Sequence, residues 1–396
     1  MSFVYLDNAA STRPDARVID LMGQVARQQF ANPSAAHAAG AAATRLLEQA
    51  RTEISNVLGG TPAELIFTSG GTEANALGLS GAAARSRGRH LVASAIEHPA
   101  VLKNVERLTK TGLGGPGEGG AGFEMTLVPP DASGVLDPAL VAAAVRPDTA
   151  VVAVMLVNNE LGTVQPIAEI AHALAARAAE YGSKRPHFHV DAVQAFGLMP
   201  FRPALLGADS VAISGHKIHG PKGVGALWLR AGARLMPLWQ GGDQERGVRS
   251  GSENLPGIVG LARAATLAAE ARNAGTTLRM AALRDDLERR VRDALPATRP
   301  TVTVTSDRRA PHISSLSFPG VPAEPLLHAL AERGVMVSAG SACASKVRGP
   351  SHVLKAIGVV DDDTAVLRFS LSRETTADEI ETAVRALVAA VAALRW

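Results

Sequence analysis

The sequence predicts an α/β protein: a large domain on a mainly parallel sheet with helices on both faces, then a smaller α+β domain. Three observations carry this. The chain has 396 residues, too many for one small core. Strand-length apolar runs alternate with longer helical patterns, the signature of β-α-β units. After about residue 256 the pattern changes to an amphipathic helix and polar-flanked strands.

The runs come in order: "ELIFTS" (64–69), "HLVASA" (90–95), "AVVAVMLV" (150–157), "HFHVDA" (187–192), "SVAIS" (210–214) and "GALWLR" (225–230). Gly, Pro, Asn or Asp bound each one. Helical stretches such as "PIAEIAHALAARAAEYG" lie between several of them. In such a sheet, ligands bind at the carboxyl ends of the strands. Farther on, "TLRMAALRDDLERRVRDAL" places Met280, Leu283, Leu287, Val291 and Ala294 on one helical face. "HISSLSF" and "VLRFSLS" read as strands of the second domain.

Composition excludes several classes. Net charge is only +3 and aromatics are 4%, so nothing favours a nucleic-acid surface. A single cysteine, Cys343, excludes an internal disulfide and any cysteine-based metal cluster. No run of about 18 apolar residues predicts a membrane span. "MSFVYLDNAASTRP" does not read as a signal peptide, so a cytoplasmic enzyme is expected. "GLGGPGEGGAG" (112–122) spells Gly112-x-Gly114-x-x-Gly117. Pro116 interrupts it and no helix follows, so a surface loop is expected rather than a dinucleotide site.

The chemistry concentrates at strand ends. Lys217 follows "SVAIS" in a turn of Ser, Gly and His, a place for an amine that condenses with an aldehyde. Asp191 ends "HFHVD". It suits a carboxylate that keeps a pyridine nitrogen protonated, or equally the cap of a following helix. "TSGGTEANALGL" turns from strand to helix at Gly70, Gly71 and Thr72, where backbone N–H groups and the helix dipole favour a phosphate. Together these three features describe a site for pyridoxal 5'-phosphate (PLP). The pairs His216/His219 and His187/His189 have zinc-like spacing, yet no third ligand is evident, so no metal is expected.

The motifs "YLDNAASTRP", "NPSAAHAAG", "FTSGGTEANALGL", "IEHPAVL", "VNNELGTVQPI", "HVDAVQAFG", "SGHKIHGPKGVGALW", "GGDQERGVRSGSEN", "SAGSACAS" and "LRFSLSR" follow one another in order. They resemble the NifS/IscS-type cysteine desulfurases, of the class V aminotransferase group of PLP enzymes, over nearly the whole chain. The cysteine loop followed by "PSHVL" is the most specific part.

The resemblance implies the PLP-dependent transferase fold type I, with a mainly parallel seven-stranded sheet in a large domain at 16–256. The small domain would be 257–396 with 1–15, and would carry the cysteine loop. It implies that Lys217 holds PLP, Asp191 pairs with its ring nitrogen and Gln194 bonds its phenolic oxygen. His98 would stack on the ring and move protons. Gly71, Thr72, Ser214 and His216 would hold the phosphate, with Ser252 completing that site from the other subunit of a homodimer. Asn159 would contact PLP and substrate, Arg368 the substrate carboxylate as a planar fork, and Asn32 would assist there. Read without the family, Arg368 is a strand-end arginine.

The implied reaction converts L-cysteine to L-alanine. Cys343 takes the sulfur as a persulfide and passes it to an acceptor protein for iron–sulfur or other cofactor synthesis. Small neighbours around Cys343 suit a moving carrier, and Lys346 and Arg348 suit a thiolate. Asp243, Ser252 and Ala35 depart from the pattern that the resemblance implies, and a longer tail of the IscS type is not expected beyond "VAALRW". Another class V enzyme, such as a selenocysteine lyase or an aminotransferase, is the rival reading; an aminotransferase has no need of Cys343.

Overall fold

A computed structural model describes residues 3–113, 122–339, 351–359 and 364–394. Cys343 and most of the glycine-rich 112–122 stretch lie outside the described residues.

The large sheet has seven strands: β1 (Leu65–Thr68), β2 (His90–Ser94), β3 (Glu124–Val128), β4 (Thr149–Met155), β5 (His187–Asp191), β6 (Ser210–Ser214) and β7 (Gly225–Leu229). Their spatial order is β1-β7-β6-β5-β4-β2-β3. Only β7 runs against its neighbours; the other pairings are parallel. β3, "EMTLV", is absent from the apolar runs read in the sequence. It is an edge strand, exposed along most of its length, and so lacks their continuous apolar character.

Helices cover both faces. One core holds residues of α1 (Ala16–Gln28), α2 (Ala38–Leu58), α5 (Ile167–Glu180) and α6 (Leu255–Asn273) against the sheet. The opposite core joins Ala74, Leu77 and Leu79 to Val101 and Val105 of α4 (Pro99–Thr111). Helix α3 (Gly71–Ala76) continues through a wide turn, Leu77–Gly81, into Ala82–Arg85.

Leu255, Ile258 and Leu261 of α6 belong to the first core, so the change of pattern near 256 falls at a helix start inside the large unit. The second core begins with α7 (Thr276–Ala294). There Leu287 and Val291 are buried as expected, but Ala294 is exposed. Leu295 takes the last inward position because the helix ends between them. α7 packs with α8 (Ala323–Glu332), α9 (Ala377–Leu394) and a small antiparallel sheet. That sheet centres on β9 (Ile313–Pro319) and β11 (Thr364–Ser370), flanked by β8 (Arg299–Pro300) and β10 (Ser338–Ala339).

The N-terminal segment joins the two units. Val4–Tyr5 pairs in parallel with Val335–Met336, and Asp7 bridges to Ser370. Farther on, Thr12 N–H and its hydroxyl both donate to the His216 carbonyl, at 2.9 and 2.8 Å.

A buried ion pair fixes the segment after β7. Both Arg51 terminal nitrogens donate to Glu245 at 2.8 Å, and Phe67 N–H donates to the same carboxylate at 2.8 Å. Asp243, Glu245 and Arg246 have φ of 59°, 49° and 59°, a left-handed backbone that costs these residues energy. The ion pair holds that turn in place. Glu245→Ala strips the buried Arg51 of its buried carboxylate, leaving only the exposed Glu48 carboxylate at 3.1 Å, and is expected to cost about 3 kcal/mol. Denaturant unfolding measures the loss; an unchanged midpoint contradicts the anchoring role.

Candidate active site

At the carboxyl ends of β4, β5 and β6 lies a cavity of about 240 Å³. Its wall brings together Gly71, Thr72, His98, Asn159, Asp191, Gln194, Ser214, His216, Lys217 and Arg368. A larger groove of about 810 Å³, between α2, residues 200–205 and α6, holds none of the predicted residues.

β6 ends at Ser214, and a single helical turn, Gly215–Lys217, presents the lysine. Lys217 Nζ donates to the carbonyls of Ala9 at 2.6 Å and Ala10 at 2.8 Å. Gln194 Nε2 donates to the same Ala9 carbonyl at 2.8 Å. Asp191 closes β5, and its oxygens accept from Val193 N–H at 2.9 Å and Asn75 Nδ2 at 2.6 Å. Asp191 is therefore more than a cap on the next turn: its second oxygen is held by a residue 116 positions away.

His98 caps α4, its Nδ1 accepting from Ala100 N–H at 3.0 Å, which leaves the ring proton on Nε2. Burial holds its pKa below the usual histidine value, partly offset by Asp191, so the ring is neutral near pH 7. Burial and then Lys217 push His216 down to about 4. The neighbouring Glu97 is fully buried, and its pKa is raised well above the ordinary carboxylate value by burial. Its Oε1 accepts from Met155 N–H at 2.6 Å.

Arg368 is not at a strand end. It lies inside β11, 3% exposed, donating to the Asn159 carbonyl at 2.7 Å and to Asp7 at 2.8 Å. Its Nε is buried with no hydrogen-bond partner among the described residues. An unmet donor on a buried guanidinium suits a carboxylate ligand.

Two predicted residues stay outside this cavity. Asn32 is exposed, with its side-chain oxygen accepting from Ser34 N–H at 2.8 Å. Ser252 is exposed on the segment that Glu245 anchors. Ala9, Ala10, Asn75, Met155 and Val193 line the wall without having been singled out in the sequence. Asn75 left one signal, an amide between alanines in "ANALGL". Ala9 and Ala10 left none, because their carbonyls belong to the backbone.

The zinc-like histidine pairs have other partners. His216 Nδ1 meets Ser11 Oγ at 3.3 Å, and His219 Nδ1 meets the Arg13 carbonyl at 2.8 Å. His187 and His189 both meet Ser210 Oγ at 2.8 Å.

The residues fit PLP. Ser214 Oγ is buried without a hydrogen-bond partner among the described residues, beside the first turn of α3. A Cβ on Gly71 would stand 2.7 Å from Val193, so only glycine leaves the helix start open. Gly71, Thr72 and Ser214 would hold the phosphate, Lys217 the aldehyde carbon and Asp191 the ring nitrogen.

A lysine, a carboxylate and a phosphate cradle at neighbouring ends of a mainly parallel sheet define a fold-type I PLP enzyme. The chain belongs to the Aminotransferase class-V family, whose profile matches residues 4–382. It is 40% identical to the cysteine desulfurase IscS of Anaeromyxobacter dehalogenans, over 96% of this chain and 91% of that one. It is 41% identical to a cysteine desulfurase of Bradyrhizobium diazoefficiens, over 99% and 95%. Among solved structures it is similar to a NifS-like protein, with a TM-score of 0.88 and 33% identity over 99% of this chain and all of that one. SspA in complex with cysteine is similar too, with a TM-score of 0.76 and 33% identity over 94% and 99%.

Proposed function

We infer that this protein is a PLP-dependent cysteine desulfurase, converting L-cysteine to L-alanine and placing the sulfur on its own cysteine. The observation that carries the reading is the convergence of Lys217, Asp191 and Arg368 on one cavity. Near-full-length identity of about 40% to cysteine desulfurases agrees with it.

When bound, PLP supplies an electron sink that stabilises negative charge at the substrate's α-carbon. The chain supplies the rest. Arg368 binds the substrate carboxylate, and Asn159 borders it. Lys217, held at the Ala9 and Ala10 carbonyls, removes the α-proton. His98, neutral and carrying its proton on Nε2, would lie against the ring and offer that N–H as a hydrogen-bond donor. Gln194, on the cavity wall, would offer its amide to the ring's phenolic oxygen. The Cys343 thiolate forms an S–S bond to the substrate sulfur while the substrate's C–S bond breaks. The bonding pair stays on carbon, is protonated, and leaves as alanine.

The division of labour assigns the cofactor to the large domain, 16–256, and the cysteine to the small domain, 257–396 with 1–15. The working assembly is a cytoplasmic homodimer in which Ser252 reaches the partner's phosphate site; the role at the substrate carboxylate rests on Arg368, since Asn32 lies outside the cavity. A sulfur-carrier or iron–sulfur scaffold protein accepts the persulfide sulfur. Ser252 is exposed and away from this chain's own cavity, which is consistent with the dimer reading. No helix among the described residues is long and apolar enough to cross a membrane.

The test is L-cysteine turnover under a thiol reductant, with alanine and sulfide quantified together. They are expected in equal amounts. Cys343→Ala is expected to retain the cofactor's visible absorption while both products fall about 100-fold or more, the scale of losing a positioned nucleophile. Sulfide release at the wild-type rate from Cys343→Ala rules out the persulfide route.

A further inference from the structure

Behind Asp191 runs a chain of hydrogen bonds that the proposed chemistry does not use. Asn75 Nδ2 meets Asp191 Oδ2 at 2.6 Å. Asn75 Oδ1 meets His189 Nε2 at 2.9 Å. His189 Nδ1 meets Ser210 Oγ at 2.8 Å, and Ser210 Oγ meets His187 Nε2 at 2.8 Å. Asn75, His189 and Ser210 are fully or nearly fully buried, and His187 is half-buried at the start of β5.

The direction of every bond follows from chemistry. A carboxylate only accepts, so Asn75 turns its amide nitrogen to Asp191 and its oxygen to His189. That oxygen also only accepts, so His189 carries its proton on Nε2. Burial pushes the His189 pKa down to about 3, so the ring is neutral and its Nδ1 is an acceptor. The Ser210 hydroxyl therefore donates to His189 and accepts from His187. All the donors point one way, toward Asp191.

The neighbouring helix leaves room for this ring. A Cβ on Gly78 would stand 2.4 Å from His189 Nδ1 and 3.1 Å from Ser210 Oγ. Gly78 lies in the wide turn Leu77–Gly81, three residues after Asn75 of α3. Glycine at 78 and a widened turn are what a close-packed imidazole requires at that place.

We propose that His189 is a positioning residue for Asp191: acting through Asn75, with Ser210 and His187 setting its tautomer, it holds the carboxylate in its orientation toward the cofactor's ring nitrogen. Without His189 the Asn75 amide is free to turn over and present its oxygen to Asp191. A carboxylate that loses a donor draws a shared proton toward itself, away from the ring. The proposal rests on the assignment of Asp191 to that nitrogen.

The test compares His189→Phe, which keeps a ring but no nitrogen, with His189→Gln, whose amide nitrogen replaces the Nε2 donor. In the holoenzyme, His189→Phe is expected to lower kcat about tenfold with KM little changed, the scale of one hydrogen bond to a charged group. The pH titration of the visible absorption band is expected to move, and the affinity for added PLP to fall. His189→Gln restores all three to within about threefold of wild type. Ser210→Ala, which removes a single oxygen, moves kcat and the spectrum the same way by a smaller factor, and serves if His189→Phe does not fold. The relay is overturned if the Phe variant keeps the wild-type spectrum, if Phe and Gln variants fall together, or if Ser210→Ala matches wild type. An Asp191→Asn enzyme that stays fully active rejects the assignment beneath it. An inactive Asp191→Asn beside an unaffected His189→Phe rejects the relay alone.

Discussion

Lys217→Ala is expected to abolish turnover of L-cysteine, lowering kcat by about 10⁴-fold or more, and to remove the absorption band of lysine-bound cofactor. The side chain has two tasks, and both are lost. It holds the cofactor's aldehyde carbon, and it removes the proton from the substrate's α-carbon; a positioned base alone accounts for about 10²–10⁴-fold. No neighbour replaces it. His98 has Nδ1 engaged by Ala100 N–H, and burial holds its pKa below the usual histidine value. His216 is pushed down to about 4 and meets Ser11 Oγ. The fold is expected to survive, because Lys217 lies in a one-turn segment and donates to backbone carbonyls rather than filling a core. Circular dichroism, absorption spectra with and without added PLP, and product assays on the purified variant measure this together. A folded Lys217→Ala protein within tenfold of wild-type activity contradicts the role assigned to the lysine.

Asp191→Asn is expected to lower kcat by about 10²–10³-fold while leaving the cofactor attached, the scale of losing one preorganised electrostatic contact. The substitution conserves size and removes a charge. The asparagine oxygen can still accept from Val193 N–H, as Asp191 does at 2.9 Å. Its amide nitrogen then faces Asn75 Nδ2, donor against donor, where the wild type has a 2.6 Å bond. A neutral amide no longer favours a proton on the ring nitrogen, so the electron sink is weakened at the step where negative charge develops on carbon. Retained visible absorption separates this variant from Lys217→Ala. A wild-type kcat from Asp191→Asn assigns the carboxylate to structure alone.

These two residues were legible before any coordinates because each sits at the end of a contiguous apolar run. Such a run announces a parallel strand, and chemistry in an α/β sheet gathers at the carboxyl ends of its strands. Lys217, Asp191 and the Gly70-Gly71 turn all obey that rule. The edge strand Glu124–Val128 escaped it because it mixes polar with apolar residues and lies exposed along most of its length, so it lacks the contiguous apolar run of a buried parallel strand. Without the family resemblance, Arg368 reads as a strand-end arginine; in the fold it is buried inside Thr364–Ser370 against Asp7. An arginine's partner 361 positions away leaves no local trace.

What local pattern decided, then, is the order of strands and helices and the residue types that meet the cofactor. Strand-end position depends on hydrophobic runs and turn residues, and both are written within about ten positions of one another. What folding decided is which groups hold those residues in place. Ala9 and Ala10 lend carbonyls to Lys217 from more than 200 positions away. Asn75 reaches Asp191, and His189 and Ser210 stand behind it. Hydrogen-bond partners are chosen by proximity in space and by which lone pairs remain unmet, and neither has a period along the chain.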